Sequence, residues 1–234
     1  MPQKEKIREM FDGIAPDYDR LNHLMSFGVD RSWRRRALKE IVTPDSPQRI
    51  LDIACGTGDF SLAIARRMHP GSRITGLDLS EGMLAVMREK VAKAGLAERI
   101  SCLQGDSEAM PWEDGAFDVA TIAFGIRNFE HREAALKEIL RVLCPGGRLV
   151  ILELSVPENK FLRACYNLYF KHFVPWIGGL VSGDKAAYRY LPASVQAFPG
   201  RREWTETMAR CGFTQVRHRA FTFGLCRMYV GEKA

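Results

Sequence analysis

The sequence predicts an α/β protein with a Rossmann-like, doubly wound sheet, and three observations support this fold class. Short apolar runs of strand length alternate with helical segments over the first two-thirds of the chain. A turn carrying Gly56 and Gly58 follows the first run and leads directly into a helix. Acidic residues lie at the ends of three successive runs, at Asp52, Asp78 and Asp106. Because the carboxyl ends of parallel strands open on one crevice, these acids are predicted to converge there.

The alternation assigns the elements in order. Residues 4–42 are predicted to be helical, with breaks at Pro16 and at the turn 26–28. Five strands and three intervening helices follow, with strands at 49–53, 73–78, 100–104, 117–122 and 148–154 and helices at 58–68, 81–94 and 132–143.

The last third of the chain changes character. An aromatic-rich segment at 158–181 is followed by a helix at 201–211 and by strands near 213–219 and 223–230. Since no helix separates these last two strands, they are predicted to form an antiparallel hairpin that closes the sheet.

No linker rich in Ser, Gly or Pro divides the 234 residues, so one domain is predicted. Its parts are a helical cap at 1–45, a cofactor-binding core at 46–155, a helical insertion over the substrate at 156–200, and a terminal helix and hairpin at 201–234. Hydrophobic residues make up 46%, but no apolar run approaches the roughly 20 residues that span a bilayer. The N-terminus lacks the apolar core of a signal peptide, which predicts a cytoplasmic protein. Six cysteines without C-x-x-C spacing argue against a metal site or a disulfide framework.

The glycine turn and the acids predict a nucleoside cofactor. Gly56 and Gly58 let the backbone approach a ligand, and Asp78 could accept both hydroxyls of a ribose. Asp106 could accept from an adenine amino group, although capping a helix is its alternative role.

Both NAD and S-adenosylmethionine (SAM) fit this geometry. Asp52 and Asp59 place two carboxylates beside the turn, where they would repel a pyrophosphate. The same carboxylates suit the ammonium and sulfonium groups of SAM, which carries no phosphate. SAM is therefore the predicted cofactor.

The formal net charge of +6 suggests an anionic partner. Four arginines cluster around Trp33, at positions 31, 34, 35 and 36. No RRM or KH signature accompanies them, so a membrane surface is favoured over nucleic acid. An ordinary solvated helix face is the alternative.

Five further motifs identify a family: Tyr18–Ser26, Phe124–Asn128, Arg141–Gly147, Glu153–Ser155 and Tyr188–Ser194. Together they resemble the UbiE/MenG methyltransferases of ubiquinone and menaquinone biosynthesis, over nearly the whole chain. The resemblance implies a class I SAM-dependent methyltransferase with a seven-stranded sheet and one antiparallel strand near the C-terminus. Its reaction would be C-methylation of a polyprenylated quinol.

The resemblance also implies cofactor contacts. They fall on Thr57 in the turn, on Asp78 at the ribose, and on Asp106 with Ser107 near adenine. Ala123 stands where the family often has Ser, which removes one polar group close to SAM.

An aromatic carbon becomes nucleophilic when a neighbouring hydroxyl loses its proton. Arg127 and Asn128, just after the fourth strand, are predicted to stabilise the resulting oxyanion. His23, Asp19 and Tyr190 are alternative residues for the proton transfer, since a protonated arginine could act only by organising a water.

Structural alternatives exist for these residues. Arg127 could form an ion pair with Glu153 on the adjacent strand. For Tyr18 and Tyr190, packing is as plausible as chemistry.

The aromatic-rich segment is too apolar for one face of a surface helix, so part of it should line a tunnel, a partner or a membrane. Its apolar residues are Phe161, Leu162, Tyr166, Leu168, Tyr169, Phe170, Phe173, Val174, Trp176, Ile177 and Leu180. Flanking cations at Lys160, Arg163, Lys171 and Lys185 suit peripheral contact with the inner face of the cytoplasmic membrane. A second core beneath a lid and a homodimer interface are the alternatives.

The compact chain favours a demethylmenaquinol acceptor over the benzoquinol of the ubiquinone pathway, with a dual-function enzyme as the alternative. An RNA or protein methyltransferase would carry an Asn/Asp-Pro-Pro-Tyr/Phe motif after the fourth strand, and this motif is absent. A non-catalytic SAM- or quinone-binding subunit is the alternative from another class.

Overall fold

The computed structural model describes residues 4–169 and 185–234, and its centre is a seven-stranded sheet in the order β3-β2-β1-β4-β5-β7-β6. The strands are β1 Arg49–Ile53, β2 Arg73–Asp78, β3 Ile100–Gln104, β4 Phe117–Ala123, β5 Leu143–Leu154, β6 Thr214–Phe221 and β7 Cys226–Glu232. Among these strands, β7 runs antiparallel to both of its neighbours and every other pair is parallel. The predicted sheet is confirmed.

Helices cover both faces of the sheet and its carboxyl edge. They are α1 Lys4–Ile14, α2 Tyr18–Met25, α3 Val29–Ile41, α4 Asp59–Ala65, α5 Glu81–Lys93, α6 Arg132–Val142, α7 Lys160–Leu168, α8 Lys185–Ala197 and α9 Arg201–Arg210. One core packs residues of α3, α4 and α5 against the sheet, and the other packs residues of α6 and α9 against the opposite face. Ile50 and Leu51 of β1 belong to different cores, as the period-2 alternation of a buried strand requires.

The three main differences between the observed and the predicted element boundaries are as follows. Helix α4 ends at Ala65, three residues early. Strand β5 begins at Leu143, five residues early, because Leu143 already pairs with Phe117. The hairpin turn lies at Thr222–Gly224, inside the region predicted to begin the last strand.

Polar contacts add to the apolar packing that holds the N-terminal helices against the core. The Asp12 carboxylate of α1 accepts from the Ser80 hydroxyl and from the Gly82 backbone N–H at 3.0 Å, which fixes α1 at the start of α5. The chain breaks between α2 and α3 at Gly28, whose φ of 72° favours glycine.

None of the helices in the described ranges is long and apolar enough to cross a membrane. Several residues of the predicted apolar segment lie outside the described residues, namely Phe170, Lys171, Phe173, Val174, Trp176, Ile177 and Leu180.

Candidate active site

Two neighbouring cavities lie at the carboxyl edge of the sheet. The first, which we call the strand-end cavity, is lined by residues at the ends of β1, β2 and β4 and by one side of α1. The second, which we call the outer cavity, lies between α2, α3, α7 and the turn Thr222–Gly224. Tyr18 and Phe124 line both cavities and therefore form the boundary between them.

The glycine turn presents its backbone to the strand-end cavity at Gly56. A Cβ at Gly56 would have no atom within 4 Å, and φ is +56°, so the residue offers both space and a conformation that suits glycine. Gly58 has a different role, since a Cβ there would lie 2.5 Å from Cγ of Met87. Gly58 is needed for α4 to begin against α5, and it does not line either cavity.

Asp78 is held at the end of β2 by backbone donors. The Gly56 N–H donates to one carboxylate oxygen at 2.8 Å and the Ser80 N–H to the other at 2.9 Å. Burial raises the pKa of Asp78, and these N–H groups partly offset the rise. Each carboxylate oxygen keeps a further lone pair, so Asp78 can still accept from a ligand.

Asp106 and Ser107 line the far end of the strand-end cavity. Asp106 accepts from the Glu108 N–H at 2.9 Å and from Nζ of Lys4 at 2.7 Å. Lys4 also pairs with Glu108 at 2.6 Å, so the first turn of α1 is fastened over this end.

The volume of the strand-end cavity is about 80 Å³, below the roughly 300 Å³ from which small-molecule sites begin. Ile7, Arg8 and Phe11 of α1 form part of its wall. The residues present, a ribose-type carboxylate at Asp78 and polar groups at Asp106 and Ser107, fit a nucleoside in type.

Asp52 does not line this cavity, which corrects the expectation of direct contact with the cofactor. It is 1% exposed, and its two oxygens accept from the hydroxyls of Ser61 in α4 and Thr121 in β4. Burial raises the pKa of Asp52 to about 6, although both hydroxyls lower it in part. Asp52 ties β1, β4 and α4 together beneath the turn.

Thr57, Asp19 and His23 also lie outside both cavities. The Thr57 hydroxyl donates to Asp19, which also receives Nζ of Lys90 at 2.7 Å. These contacts fasten α2 to the glycine turn, so Asp19 is not placed to receive a proton from a substrate.

The imidazole of His23 lies between two carboxylates. Nδ1 is 3.0 Å from Asp30 and Nε2 is 3.2 Å from Asp59. Lys90 lowers the pKa of Asp59 despite the opposing effect of burial. Both nitrogens are therefore engaged, and His23 joins α2 to α3 and α4 rather than facing a substrate.

The outer cavity has a volume of about 450 Å³ and a mostly apolar wall. Met25, Val29, Trp33, Leu162 and Leu225 contribute to this wall. A few polar side chains interrupt it, among them Tyr18, Asn22, Arg34, Arg127 and Tyr166. Size and lining match those of a site for an amphipathic small molecule.

Arg127 is the buried cation of the outer cavity. Its Nη1 lies 2.8 Å from Oε1 of Glu153, its backbone N–H donates to Oε2 at 3.1 Å, and Nε donates to the Ser194 hydroxyl at 3.3 Å. Burial lowers the pKa of Arg127, but Glu153 and nearby tyrosines raise it overall, so the guanidinium stays charged. The ion pair with Glu153, which the sequence offered as the structural alternative to a catalytic role, is therefore present. Arg127 nevertheless also lines the outer cavity.

Asn128 follows on the other side of the boundary and lines the strand-end cavity. Its side-chain oxygen accepts from the Tyr190 hydroxyl at 2.9 Å. Burial raises the pKa of Tyr190, although Arg127 and Arg132 lower it in part, so Tyr190 is a donor at neutral pH. Tyr190 itself lines neither cavity.

The boundary residue Phe124 was missed by the sequence prediction. Its φ is +63°, and the Arg34 guanidinium lies 5.2 Å from its ring centre. Ala54, at the end of β1, also has a positive φ of 51°. The glycine at position 125 was a sequence signal for this boundary. A Cβ there would lie 2.5 Å from Cβ of Ala54, so only glycine lets the ends of β1 and β4 approach this closely.

Comparison with known proteins decides the family. The model of the ubiE/COQ5 methyltransferase family matches residues 1–233. The chain belongs to the ubiE/COQ5 methyltransferase family. The predicted family and enzyme class are thereby confirmed.

Several curated members of the ubiE/COQ5 family are similar over nearly their whole length. "Ubiquinone/menaquinone biosynthesis C-methyltransferase UbiE" of Geobacter sulfurreducens is 51% identical, over 98% of this chain and 89% of its own. "Demethylmenaquinone methyltransferase" of Thermus thermophilus is 48% identical, over 96% and 100%. The protein of the same name from Bacteroides fragilis is 45% identical, over 99% and 94%.

Solved structures share the fold of this ubiE/COQ5 member at low identity. The [4+2]-cyclase SpnF has a TM-score of 0.73 and 20% identity, and the match covers 99% of this chain and 97% of that one. A SAM-dependent methyltransferase of Thermotoga maritima, described as a possible histamine N-methyltransferase, has a TM-score of 0.68 and 20% identity, with 97% and 99% covered. A fold shared by a cyclase and a methyltransferase leaves function to the site.

Proposed function

We propose that this protein transfers the methyl group of SAM to a ring carbon of a demethylmenaquinol, in menaquinone biosynthesis. The observation that carries this proposal is the pair of cavities that meet at Tyr18 and Phe124. One is small, lies at the strand ends and has the carboxylates of Asp78 and Asp106 in its wall, and the other is large, mostly apolar and carries one buried guanidinium. Relatives named demethylmenaquinone methyltransferase at 45–48% identity support the same activity.

The strand-end cavity would hold the cofactor. Asp78 would accept from the ribose hydroxyls, the backbone at Gly56 would lie under the ligand, and Asp106 with Ser107 would face the adenine. When bound, SAM supplies an electrophilic methyl group on a sulfonium centre. Asp52 and Thr57 would act indirectly, by holding the turn in position.

Arg127 would stabilise the quinolate in the outer cavity. Its fixed positive charge lowers the free energy of the quinol oxyanion, so the hydroxyl proton leaves to water and negative charge reaches the ring carbon. That carbon would accept the methyl group supplied by bound SAM, with S-adenosylhomocysteine as the leaving product, and would lose its own hydrogen as a proton to restore aromaticity. Glu153 and Ser194 keep the guanidinium in one orientation.

Asn128, held by Tyr190, would direct a hydrogen bond at the boundary between the cavities. Burial raises the pKa of Tyr18, although Arg127 lowers it in part, so Tyr18 donates rather than accepts a proton at neutral pH. Neither tyrosine is a general base in this proposal.

We also propose that the protein works at the cytoplasmic face of a membrane, as a peripheral protein. A polyprenyl tail requires an apolar route out of the outer cavity, and α7, whose Leu162 and Tyr166 line that cavity, also carries exposed apolar side chains. Phe161 and Leu168 of α7 are among them. A homodimer stays a prediction.

The deciding experiment offers labelled SAM to reduced demethylmenaquinol and to the reduced benzoquinol precursor of ubiquinone, in detergent, with mass identification of the product. The oxidised demethylmenaquinone is the matched control, since it has no hydroxyl to ionise. Transfer to the naphthoquinol alone supports the proposal, and transfer to both makes the enzyme dual-functional, as the name of the Geobacter relative suggests. No transfer to either, with SAM bound, would overturn the proposal in favour of a non-catalytic role.

A further inference from the structure

We propose that the mouth of the outer cavity is a docking surface for an anionic phospholipid bilayer, formed by two aromatic tips and four arginines. The aromatic tips are Phe27 and Phe223. The arginines are Arg31, Arg35, Arg36 and Arg219. The inference rests on the proposed function in one respect. If the substrate is a polyprenylated quinol, the docking surface is the place where its tail passes from the bilayer into the outer cavity.

Phe223 is held outward by the turn between β6 and β7. It is 80% exposed, lines the outer cavity, and has a φ of +58°, while Thr222 beside it has a φ of +45°. The turn is nevertheless fixed, because Nε1 of Trp33 donates to the Thr222 hydroxyl at 2.8 Å and the Ser155 hydroxyl donates to the Gly224 carbonyl at 2.6 Å. Such backbone strain at an exposed aromatic is characteristic of a functional position.

Phe27 repeats this arrangement at the turn between α2 and α3. It is 70% exposed, lines the same cavity, and has a φ of +50°. Its ring centre lies 6.3 Å from that of Tyr169, just after α7. Two aromatic side chains in left-handed backbone conformations thus border one cavity mouth, where burial in lipid would remove their apolar surface from water.

The four arginines lie on α3 and β6, the elements that adjoin the turns carrying Phe27 and Phe223. Arg36 and Arg219 place their guanidinium groups 5.6 Å and 6.0 Å from the ring centre of Phe221, two residues before Phe223. Arg31 and Arg35 are exposed one helical turn apart on α3, just after the Phe27 turn. Within the described ranges, no carboxylate pairs with any of the four.

Asp30, the carboxylate that lines the outer cavity, pairs with Arg34, and acids on neighbouring elements are also engaged by other cations. Glu40 pairs with Arg217 at 2.9 Å, and Glu158 pairs with Arg201 at 2.8 Å and Arg227 at 2.9 Å. A partner of complementary charge would therefore be anionic. Two copies of the chain meeting here would bring like charges together, so an anionic bilayer is favoured over a second copy.

The test is flotation of the full chain with phosphatidylcholine vesicles, with and without phosphatidylglycerol. We expect binding that requires the anionic lipid and falls with added salt. The double variant Arg36→Gln/Arg219→Gln should bind about 25-fold more weakly, at about fivefold for each cation near the surface. Phe223→Asn should weaken binding roughly tenfold, and asparagine tolerates the left-handed backbone.

Two controls match these variants. Arg67→Gln removes an exposed arginine in the turn after α4, and Leu103→Thr removes a 38% exposed apolar residue on β3, at the opposite edge of the sheet. Both should bind vesicles as the wild type does. Wild-type binding by the arginine variant and by Phe223→Asn would overturn the proposal, as would a change in oligomeric state with no change in vesicle binding.

Methyl transfer separates this inference from the proposed function. Arg36→Gln/Arg219→Gln should methylate a soluble, short-tailed demethylmenaquinol at the wild-type rate and a vesicle-borne, long-tailed one more slowly. Equal loss on both substrates would contradict a docking role. If no quinol is methylated while the variants still lose vesicle binding, the proposed function fails and the docking surface stands.

Discussion

The two cavities differ in how the chain builds them. The strand-end cavity uses backbone donors and carboxylates at the ends of parallel strands, so its positions are fixed by the sheet. The outer cavity is assembled from α2, α3, α7 and a hairpin turn, all outside the central strands. Under the proposed function, the sheet would supply the cofactor site, while the appended segments together with Arg127 would contact the acceptor.

The cavities also differ in how they handle buried charge. At Asp78, backbone N–H groups satisfy a single carboxylate. At Arg127, a complete ion pair with Glu153 is buried, with side chains 6% and 0% exposed. The first arrangement depends on one residue and the second on two, so substitutions should affect them differently.

The largest effect is expected for Glu153→Gln. It leaves the buried Arg127 without its counter-charge, so the free energy of unfolding should fall by about 3 kcal/mol in chemical denaturation. Glu133→Gln is the matched control, since its pair with Arg210 is more than half exposed and should contribute less than about 1 kcal/mol. Equal losses of unfolding free energy in the two variants would show that the buried pair contributes no more to stability than the exposed one.

Arg127→Ala should separate the two cavities in function. The rate of methyl transfer should fall by about 10²-fold or more, as for loss of an oxyanion donor, while the dissociation constant of SAM stays near the wild-type value. Single-turnover kinetics and calorimetry measure the two quantities. Retained turnover, or an equal loss of SAM affinity, would contradict the assignment of Arg127 to the outer cavity alone.

Asp78→Ala should give the opposite result. SAM binding should weaken by roughly 1.5–3 kcal/mol, the range for a hydrogen bond to a charged group, with little change in the affinity for quinol. Asp118→Ala is the control, because that acid pairs with Arg49 at the opposite end of the strands. An unchanged SAM affinity in Asp78→Ala would remove Asp78 from the cofactor site.

A smaller, pH-dependent effect is expected at Asp52. Burial raises its pKa to about 6 in the folded state, so protonated Asp52 stabilises the fold below about pH 4, and this contribution is lost as pH rises through 6. Asp52→Asn should therefore gain stability relative to wild type, on the order of 2 kcal/mol, between pH 4 and pH 7.5. At Asp118, burial raises the pKa but Arg49 lowers it overall, so wild type should lose stability relative to Asp118→Asn only as pH falls below about 4.

Denaturation curves for both variants, from about pH 2.5 to pH 7.5, would test these signs. A stability difference between wild type and Asp52→Asn that does not vary with pH would show that Asp52 is charged in the fold at all these values.

The sequence predicted the strand-end cavity better than the outer one. The sheet followed from local apolar patterns, and the strand-end rule placed Asp78 and Asp106 correctly on one crevice. Asp52 was misplaced because its position beside the turn says nothing about the side on which its carboxylate lies. The alternation of β1 did contain that information, since Asp52 shares a face with Ile50 and not with Leu51.

Other site residues could not be predicted from one sequence. Asp19 contacts Thr57 and Lys90, which lie 38 and 71 positions away in the sequence. His23 likewise contacts Asp59, which is distant from it in the sequence. Such contacts depend on where α2 lies against the core, which no local pattern specifies. The same holds for Phe223, whose turn borders the outer cavity only after the hairpin has closed the sheet.

The most direct test of the two-cavity account is photoaffinity labelling with a short-tailed demethylmenaquinone that carries a diazirine on its tail, in the presence of SAM. We expect labelled peptides from residues 154–169 and 222–225, which border the outer cavity, and protection by unlabelled demethylmenaquinol. Labelling confined to residues 4–11 or 105–108, which border the strand-end cavity, would contradict the account.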